Sequence, residues 1–227
     1  RGGERVLEIL CDGFPAAPIH TLICNRSAIS DTITRHPIHT SWLQSVPGIA
    51  AHYRKALPLF VPAVRALRPA PADLLISTSH CVAKGTPIPK GTRHLCYCFT
   101  PMRYAWTFYE EYFGTSPLKA LLVKPLLAHL RAWDRRVSRQ VDRHVAISRH
   151  VQARIRDFYG MDSDIVYPPI DTDYWTPSPT ARQSFDLIVS ALVPYKRVDL
   201  AVKAYARSGH PLKIVGVGSG LSALQRL

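Results

Sequence analysis

The chain lacks any run approaching the ~18 uncharged apolar residues that a membrane-spanning helix needs. Its first residues also lack the basic-then-apolar layout of a secretory signal. Both absences predict a cytoplasmic protein, at most peripheral on the inner face of the plasma membrane. Acidic residues are scarce: 16 Asp and Glu stand against 29 Lys and Arg, a formal net charge of +13. A field of that sign favours anionic partners, among them nucleic acid, acidic phospholipid and nucleotide diphosphates. Cysteines are few and odd in number. Cys11, Cys24, Cys81, Cys96 and Cys98 lack the spacing of a disulfide framework, and Cys96-Tyr97-Cys98 is no CxxC pair, so reduced core thiols are expected. Neither GxGxxG nor GxxxxGK[ST] occurs, which argues against an epimerase or a kinase built on those loops. A basic nucleic-acid-binding α/β protein is the alternative reading, carried by charge and aromatics. The chain has no helix-turn-helix cue, RNP-like motif or zinc-ligand spacing, and its cations are dispersed, so no nucleic-acid partner is expected.

What is present begins with 227 residues, 47% hydrophobic, enough for one large domain or two smaller ones. The chain enters at Arg1-Gly2-Gly3-Glu4 and passes directly into the helical pattern Val6, Leu7, Ile9, Leu10. A strand ahead of that helix is expected to be missing. Gly2-Gly3 would then be the loop before the helix, where backbone N–H groups can approach an anion; a flexible terminus fits the same residues. Residues 18–24 and 36–40 read as short strands. Residues 72–80 form a nearly continuous apolar strand, of the kind buried on both faces of a parallel sheet. It closes in Ser77, Ser79 and His80, at the carboxyl end where ligands collect in open α/β sheets. His80 would serve equally as a cap for the next segment.

Residues 94–100 are the next strand, followed by Pro101-Met102-Arg103-Tyr104-Ala105-Trp106. Arg103 is flanked by Tyr104, Trp106, Phe108, Tyr109, Tyr112 and Phe113, a patch able to stack a sugar or a base, although the same spacing suits a core. Residues 118–143 carry the longest helical pattern, with Pro125 as a break or a helix start. Leu126, Leu130, Trp133, Val137 and Val141 recur as one buried stripe. Beside it Arg131, Arg135 and Arg139 form a basic row, suited to a solvated face or to anionic lipid headgroups. A strand over 142–148, a helix over 149–159 ended by Gly160, and a short strand closing in Pro168-Pro169 come after it.

The stretch 171–184, rich in Thr, Pro, Ser and Asp, is a linker. Beyond it Phe185, Leu187, Ile188 and Val189 lead into Ser190-Ala191-Leu192-Val193-Pro194-Tyr195-Lys196-Arg197, with an amphipathic run next. That is a strand, a loop carrying a lysine, and a helix start. A cation presented there suits a phosphate; a solvated Lys-Arg pair on an ordinary connection suits the spacing too. Residues 211–220 are another strand running into Gly216, Gly218 and Gly220.

Together, Arg1-Gly2-Gly3-Glu4, the strand end at residues 77–80, Cys96-Tyr97-Cys98-Phe99-Thr100-Pro101-Met102-Arg103-Tyr104-Ala105-Trp106, Tyr167-Pro168-Pro169-Ile170-Asp171 and residues 190–197 resemble a retaining glycosyltransferase of family 4. The similarity is greatest to the bacterial mannosyltransferase-like branch of O-antigen and exopolysaccharide assembly. The resemblance implies an α/β protein of GT-B type, with two Rossmann-like domains. Residues 1–170 would be the acceptor-side domain, 171–184 the linker and 185–227 the start of the nucleotide-sugar-binding domain. The reaction implied is transfer of a hexose, mannose from GDP-mannose, to a lipid-linked or polysaccharide acceptor, with the nucleotide sugar as substrate and neither cofactor nor metal.

By the same resemblance Lys196 falls on the donor-diphosphate lysine and Gly3 on the glycine loop near the donor phosphates. Arg197, Gly216 and Gly218 complete the donor-side set; Ser79, His80, Thr100, Arg103 and Tyr104 form the acceptor and sugar side. The chain departs from the family pattern at Ala191, where an arginine is common, at Phe99, where many relatives carry histidine, and at Val217, where an acidic residue is usual. The family's E-x7-E glutamate pair would lie beyond Leu227, so this polypeptide by itself is expected not to turn over.

Overall fold

Strands of the first unit owe their burial to alternation. Along Arg93–Cys98, Cys96 and Cys98 face one side of a sheet while Tyr97 faces the other, as a period of two requires. The computed structural model describes residues 2–107, 117–177 and 179–227, apart from the side chains at positions 51, 54, 55, 117–120 and 122. Phe108, Tyr109, Tyr112 and Phe113 of the aromatic patch lie outside the described residues. The chain divides into two compact units, Arg1–Ile170 and Asp171–Leu227. Every strand pairing among the described residues is parallel.

In the first unit α1 (Gly2–Gly13) leads to β1 (Ile19–Thr21), α2 (Asp31–Thr34) and β2 (Ile38–Thr40), the two strands pairing with each other. Two short helices, α3 (Ile49–His52) and α4 (Phe60–Arg65), bring the chain to a second sheet. Its strands β3 (Leu74–Ser79), β4 (Arg93–Cys98), β5 (Arg143–Ala146) and β6 (Asp164–Ile165) lie side by side in that order. Between β4 and β5 come α5 (Arg103–Trp106) and α6 (Pro117–Ser138); α7 (Arg149–Tyr159) connects β5 to β6. Parallel neighbours need such crossovers, and helices then cover both faces. Val6 of α1 packs on Tyr97 and Val145, whereas Val151, Ile155 and Tyr159 of α7 pack on Cys96, Cys98 and Ala146. A third cluster, around Trp133, joins α4, α5 and α6 with Val82. All five cysteines are free.

Local signals set the boundaries. Ser148 caps α7 by accepting from the Val151 N–H at 3.2 Å, and Gly160 ends it in the left-handed region at φ 66°. Four readings from the sequence change. Gly2 and Gly3 are the first turn of α1 rather than a loop, a turn that gains from Glu4 opposite the helix dipole. Pro125 sits inside α6, which runs unbroken through it. An interior proline costs roughly 3 kcal/mol, but the buried Leu127, Leu130 and Trp133 contribute about 1.5–3 kcal/mol each, so packing wins. The stripe runs through Leu127 rather than Leu126, which is 37% exposed, and α6 ends at Ser138, ahead of Val141. The last strand of the unit is only two residues long; the Val166 N–H still reaches the Ala146 carbonyl, and Pro168-Pro169 have no N–H to carry the pairing on.

The second unit contains β7 (Asp186–Val189), α8 (Val198–Ser208), β8 (Leu212–Val215) and α9 (Leu221–Leu224). β7 and β8 pair in register from Asp186 opposite Leu212 to Val189 opposite Val215. The Tyr205 hydroxyl donates to the Asp186 carboxylate and ties α8 to the first strand.

Gly85 shows how closely the first unit is packed: a Cβ there would stand 2.5 Å from Cζ2 of the Trp133 ring. Gly85→Ala is expected to cost about 1–3 kcal/mol by overpacking, read as a lowered melting temperature. An unchanged melt would mean that the ring moves freely.

Candidate functional site

The carboxyl ends of β3, β4 and β5 lie next to one another, since Ser79 pairs with Cys98 and Cys98 with Ala146. The segments leaving these strands therefore meet at one edge. The Phe99 N–H donates to the Ser79 carbonyl at 2.8 Å, which carries the pairing one residue past β4. Gly3, at the start of α1, faces the Phe99 ring, and a Cβ on Gly3 would lie 3.2 Å from Cε2 of that ring. The first turn of α1 thus approaches the strand ends, and a helix N-terminus is a favourable place for negative charge.

Ser79 is buried, and its hydroxyl donates to the Cys81 carbonyl at 3.4 Å, so it shapes the turn. His80 keeps much of its surface exposed, yet its imidazole is held below the ordinary histidine value, first by desolvation and then by the Arg103 cation. Thr100 accepts at Oγ1 from Arg154 of α7 at 3.3 Å. Tyr104 places its hydroxyl 2.8 Å from the Cys81 sulfur, and burial pushes that thiol up to about 11, against the opposing effect of the Tyr104 bond. The edge thus gathers Gly3, Ser79, His80, Thr100, Arg103 and Tyr104. It offers a cation, a neutral imidazole and a hydroxyl, groups that suit a hydroxylated or anionic ligand.

Behind the edge lies a polar cluster that the sequence reading missed. Lys84 and Asp134 are both buried and meet at 2.5 Å. The other Asp134 oxygen accepts from the Tyr159 hydroxyl and from Trp106 Nε1, each at 2.8 Å, and Lys84 also reaches Tyr159 at 3.1 Å. Burial opposes the Lys84 ammonium, but Asp134 and Tyr159 outweigh it and hold it charged, while burial pushes the Tyr159 phenol up. The one signal available was Asp134 itself, a carboxylate on the apolar stripe of Leu127, Leu130 and Val137.

The basic row is also not a free face. Arg131 donates to the Ala105 carbonyl at 3.0 Å, and Arg135 donates to the Phe158 carbonyl at 2.8 Å while covering the Trp106 ring at 4.8 Å. Only Arg139 of the three remains for solvent or another charge. Two of these side chains build the unit instead of advertising it.

In the second unit, residues 190–197 leave the carboxyl end of β7 and reach α8 through a 3-10 turn at Pro194–Lys196. Arg197 comes next at φ 51°, the one non-glycine residue with positive φ among those described, and its guanidinium grips Asp199 with bonds of 3.0 and 3.2 Å. Lys196 has no ion-pair partner among the described residues; its Nζ lies 5.8 Å from the Tyr195 ring centroid. Gly216 and Gly218 are required by backbone approach. A Cβ on either would collide with the carbonyl oxygen of Ser190 or Leu192, whose N–H groups pair with Val215 and Val217. These glycines therefore shape the lysine loop directly.

Parallel sheets covered by helices, with polar groups at the carboxyl ends of the strands, define a Rossmann-like α/β protein of the kind found in GT-B glycosyltransferases. Residues 1–174 match the family model "Glycosyltransferase Family 4", and the chain belongs to that family. No curated protein matches it.

Two expectations concern stability. Lys84→Met leaves the Asp134 carboxylate buried without its cation and is expected to cost about 3–5 kcal/mol, whereas exposed pairs such as Arg143–Asp164 are worth about 0–1 kcal/mol. Replacing both partners, Lys84→Met with Asp134→Leu, should recover part of the loss in a denaturant titration. The second concerns His94, buried with Nε2 2.8 Å from the Ser77 hydroxyl and held below the ordinary histidine value by burial. Its folded form stays neutral where the unfolded chain takes a proton, so its contribution is complete above the unfolded histidine value and falls as pH drops through it. The melting temperature should decline between about pH 7.5 and 5.5 around the ordinary histidine value near 6.5, and less steeply in His94→Asn.

Proposed function

We propose that the protein transfers a hexose, mannose from GDP-mannose in the first instance, with retention, to a lipid-linked or polysaccharide acceptor. In that reaction the anomeric carbon loses its bond to the diphosphate, which leaves with the electron pair, and gains a bond to an acceptor hydroxyl, whose proton is released. Family membership supports the transferase class. The observation that carries the donor assignment is Lys196: it sits beyond the carboxyl end of β7, at the head of α8, exposed and without an ion-pair partner among the described residues. Arg197 beside it is committed to Asp199. A lysine so placed would stabilise charge building on the departing diphosphate, an electrostatic role that needs no proton transfer.

The acceptor would meet the other unit at the edge formed by His80, Thr100 and Arg103. Arg103 and the neutral His80 can hydrogen-bond sugar hydroxyls. The net charge of +13 fits a peripheral place on an anionic cytoplasmic membrane surface, where a lipid-linked acceptor would be met. No helix among the described residues is long and apolar enough to cross a membrane.

In the intact protein Lys196→Ala is expected to lower transfer at least tenfold, on the order of one lost transition-state charge contact, with the fold unchanged by circular dichroism. The assay is release of nucleoside diphosphate from a panel of nucleotide sugars with a saccharide acceptor. Undiminished transfer in the variant would sink the diphosphate role, and preference for a sugar other than mannose would redirect the donor assignment.

A further inference from the structure

α5 is a helix of four residues, far too short to hold itself together, yet it carries Arg103 and Tyr104. Its position therefore has to come from outside. Its own Ala105 and the preceding Met102 are buried, and its last residue supplies a further tether: Trp106 Nε1 donates to Asp134 Oδ2 at 2.8 Å. The Trp106 ring stacks on Phe158 at 4.8 Å with 12° between planes, and the Arg135 guanidinium covers it. Arg131 adds a bond to the Ala105 carbonyl.

The same carboxylate reaches the other side of the edge. Lys84 lies four residues past His80, in the 3-10 turn Ala83–Gly85 after β3, and it holds Asp134 Oδ1. One aspartate of α6 thus ties the segment bearing His80 to the segment bearing Arg103. Tyr159 anchors that aspartate from α7, so it has no freedom to move with either segment.

We infer that Asp134, acting through Trp106 on one side and Lys84 on the other, is a positioning residue that sets the distance between His80 and Arg103 at the carboxyl edge. The inference deepens the acceptor-side assignment and rests on it. Neither Asp134 nor Trp106 is assigned contact with a substrate; their effect is carried by the segments they hold. Because Asp134 is surrounded on every side by donors, the bond to Trp106 can be removed without leaving the carboxylate alone. Lys84 and Tyr159 still satisfy it.

The test is Trp106→Phe in the full chain, which deletes one N–H donor and keeps an aromatic ring against Phe158. The first readout is the His80 imidazole titration by NMR, which senses the nearby Arg103 cation and is independent of any assay for transfer. If Trp106 positions α5, the His80 pKa should rise towards the ordinary histidine value in the variant. The second readout is transfer: the acceptor KM should rise at least fivefold with the nucleotide-sugar KM unchanged. An unchanged His80 titration overturns the inference, and so does a shifted titration with unchanged acceptor KM. If the intact protein transfers no sugar from any nucleotide donor, the transferase reading fails, and the titration alone decides the positioning of His80 against Arg103. Should Trp106→Phe fail to fold, Arg131→Gln removes the bond to the Ala105 carbonyl, and the same titration and KM shifts are expected from it.

Discussion

A single carboxylate, sealed from water, receives an ammonium, a phenol and an indole N–H. Asp134 stands at the point where α6, α7, the turn after β3 and α5 converge, and each of those elements gives it one donor or carries it. Such a group is stable only when fully satisfied, because an uncompensated buried charge costs several kcal/mol. The elements around it are therefore restricted to arrangements that keep the Lys84 ammonium beside it, with Tyr159 and Trp106 as further donors. Hydrophobic packing around Trp133 and Met102 supplies the larger share of the stabilisation, but it would tolerate small slides that the Asp134 bonds do not. The polar cluster thus adds specificity to a core that burial alone would hold together.

The sheet of β3 to β6 depends on this arrangement for one face and on α1 and α7 for the rest. Alternation in β4 sends Cys96 and Cys98 towards α7 and Tyr97 towards α1, so beyond the exposed Arg93 the strand is covered on both faces. Polar side chains inside the sheet are paired, as His94 is with Ser77, and the groups offered outwards lie past the strand ends. That placement gives the carboxyl edge its chemistry: the interior of the sheet has no room for His80, Thr100 or Arg103, and the first residues past each strand do.

Much of this was legible in the residues. The strand ending in Ser79 and His80, the helix from Arg149 to Gly160 with its serine and glycine caps, and the lysine loop after β7 all arise from local patterns that tertiary contacts reinforce. The family resemblance of the first unit rests on residues of the same strands and strand ends. What escaped reading was non-local. Lys84 and Asp134 are 50 positions apart and look like ordinary surface charges until the chain folds them together. Arg131 and Arg135 fall on a regular row that spacing assigns to solvent, whereas two carbonyls from distant segments claim them. Pro125 suggests a break because the helix rule is local, and the core that overrides it is not. Gly2 and Gly3 read as a loop for the same reason, since a glycine pair has no sequence mark of the helix it begins.

The collision that any side chain at Gly216 or Gly218 would make with the carbonyls of Ser190 and Leu192 has a consequence for timing. The two backbone segments can lie so close only because both glycines are bare, and their N–H and carbonyl groups then lock the loop to the neighbouring strand while the unit folds. The entropy of ordering residues 190–193 is spent at that stage, before any ligand arrives. A diphosphate reaching Lys196 would meet a scaffold already set, with only the lysine side chain left to settle, and more of its interaction energy would remain as affinity.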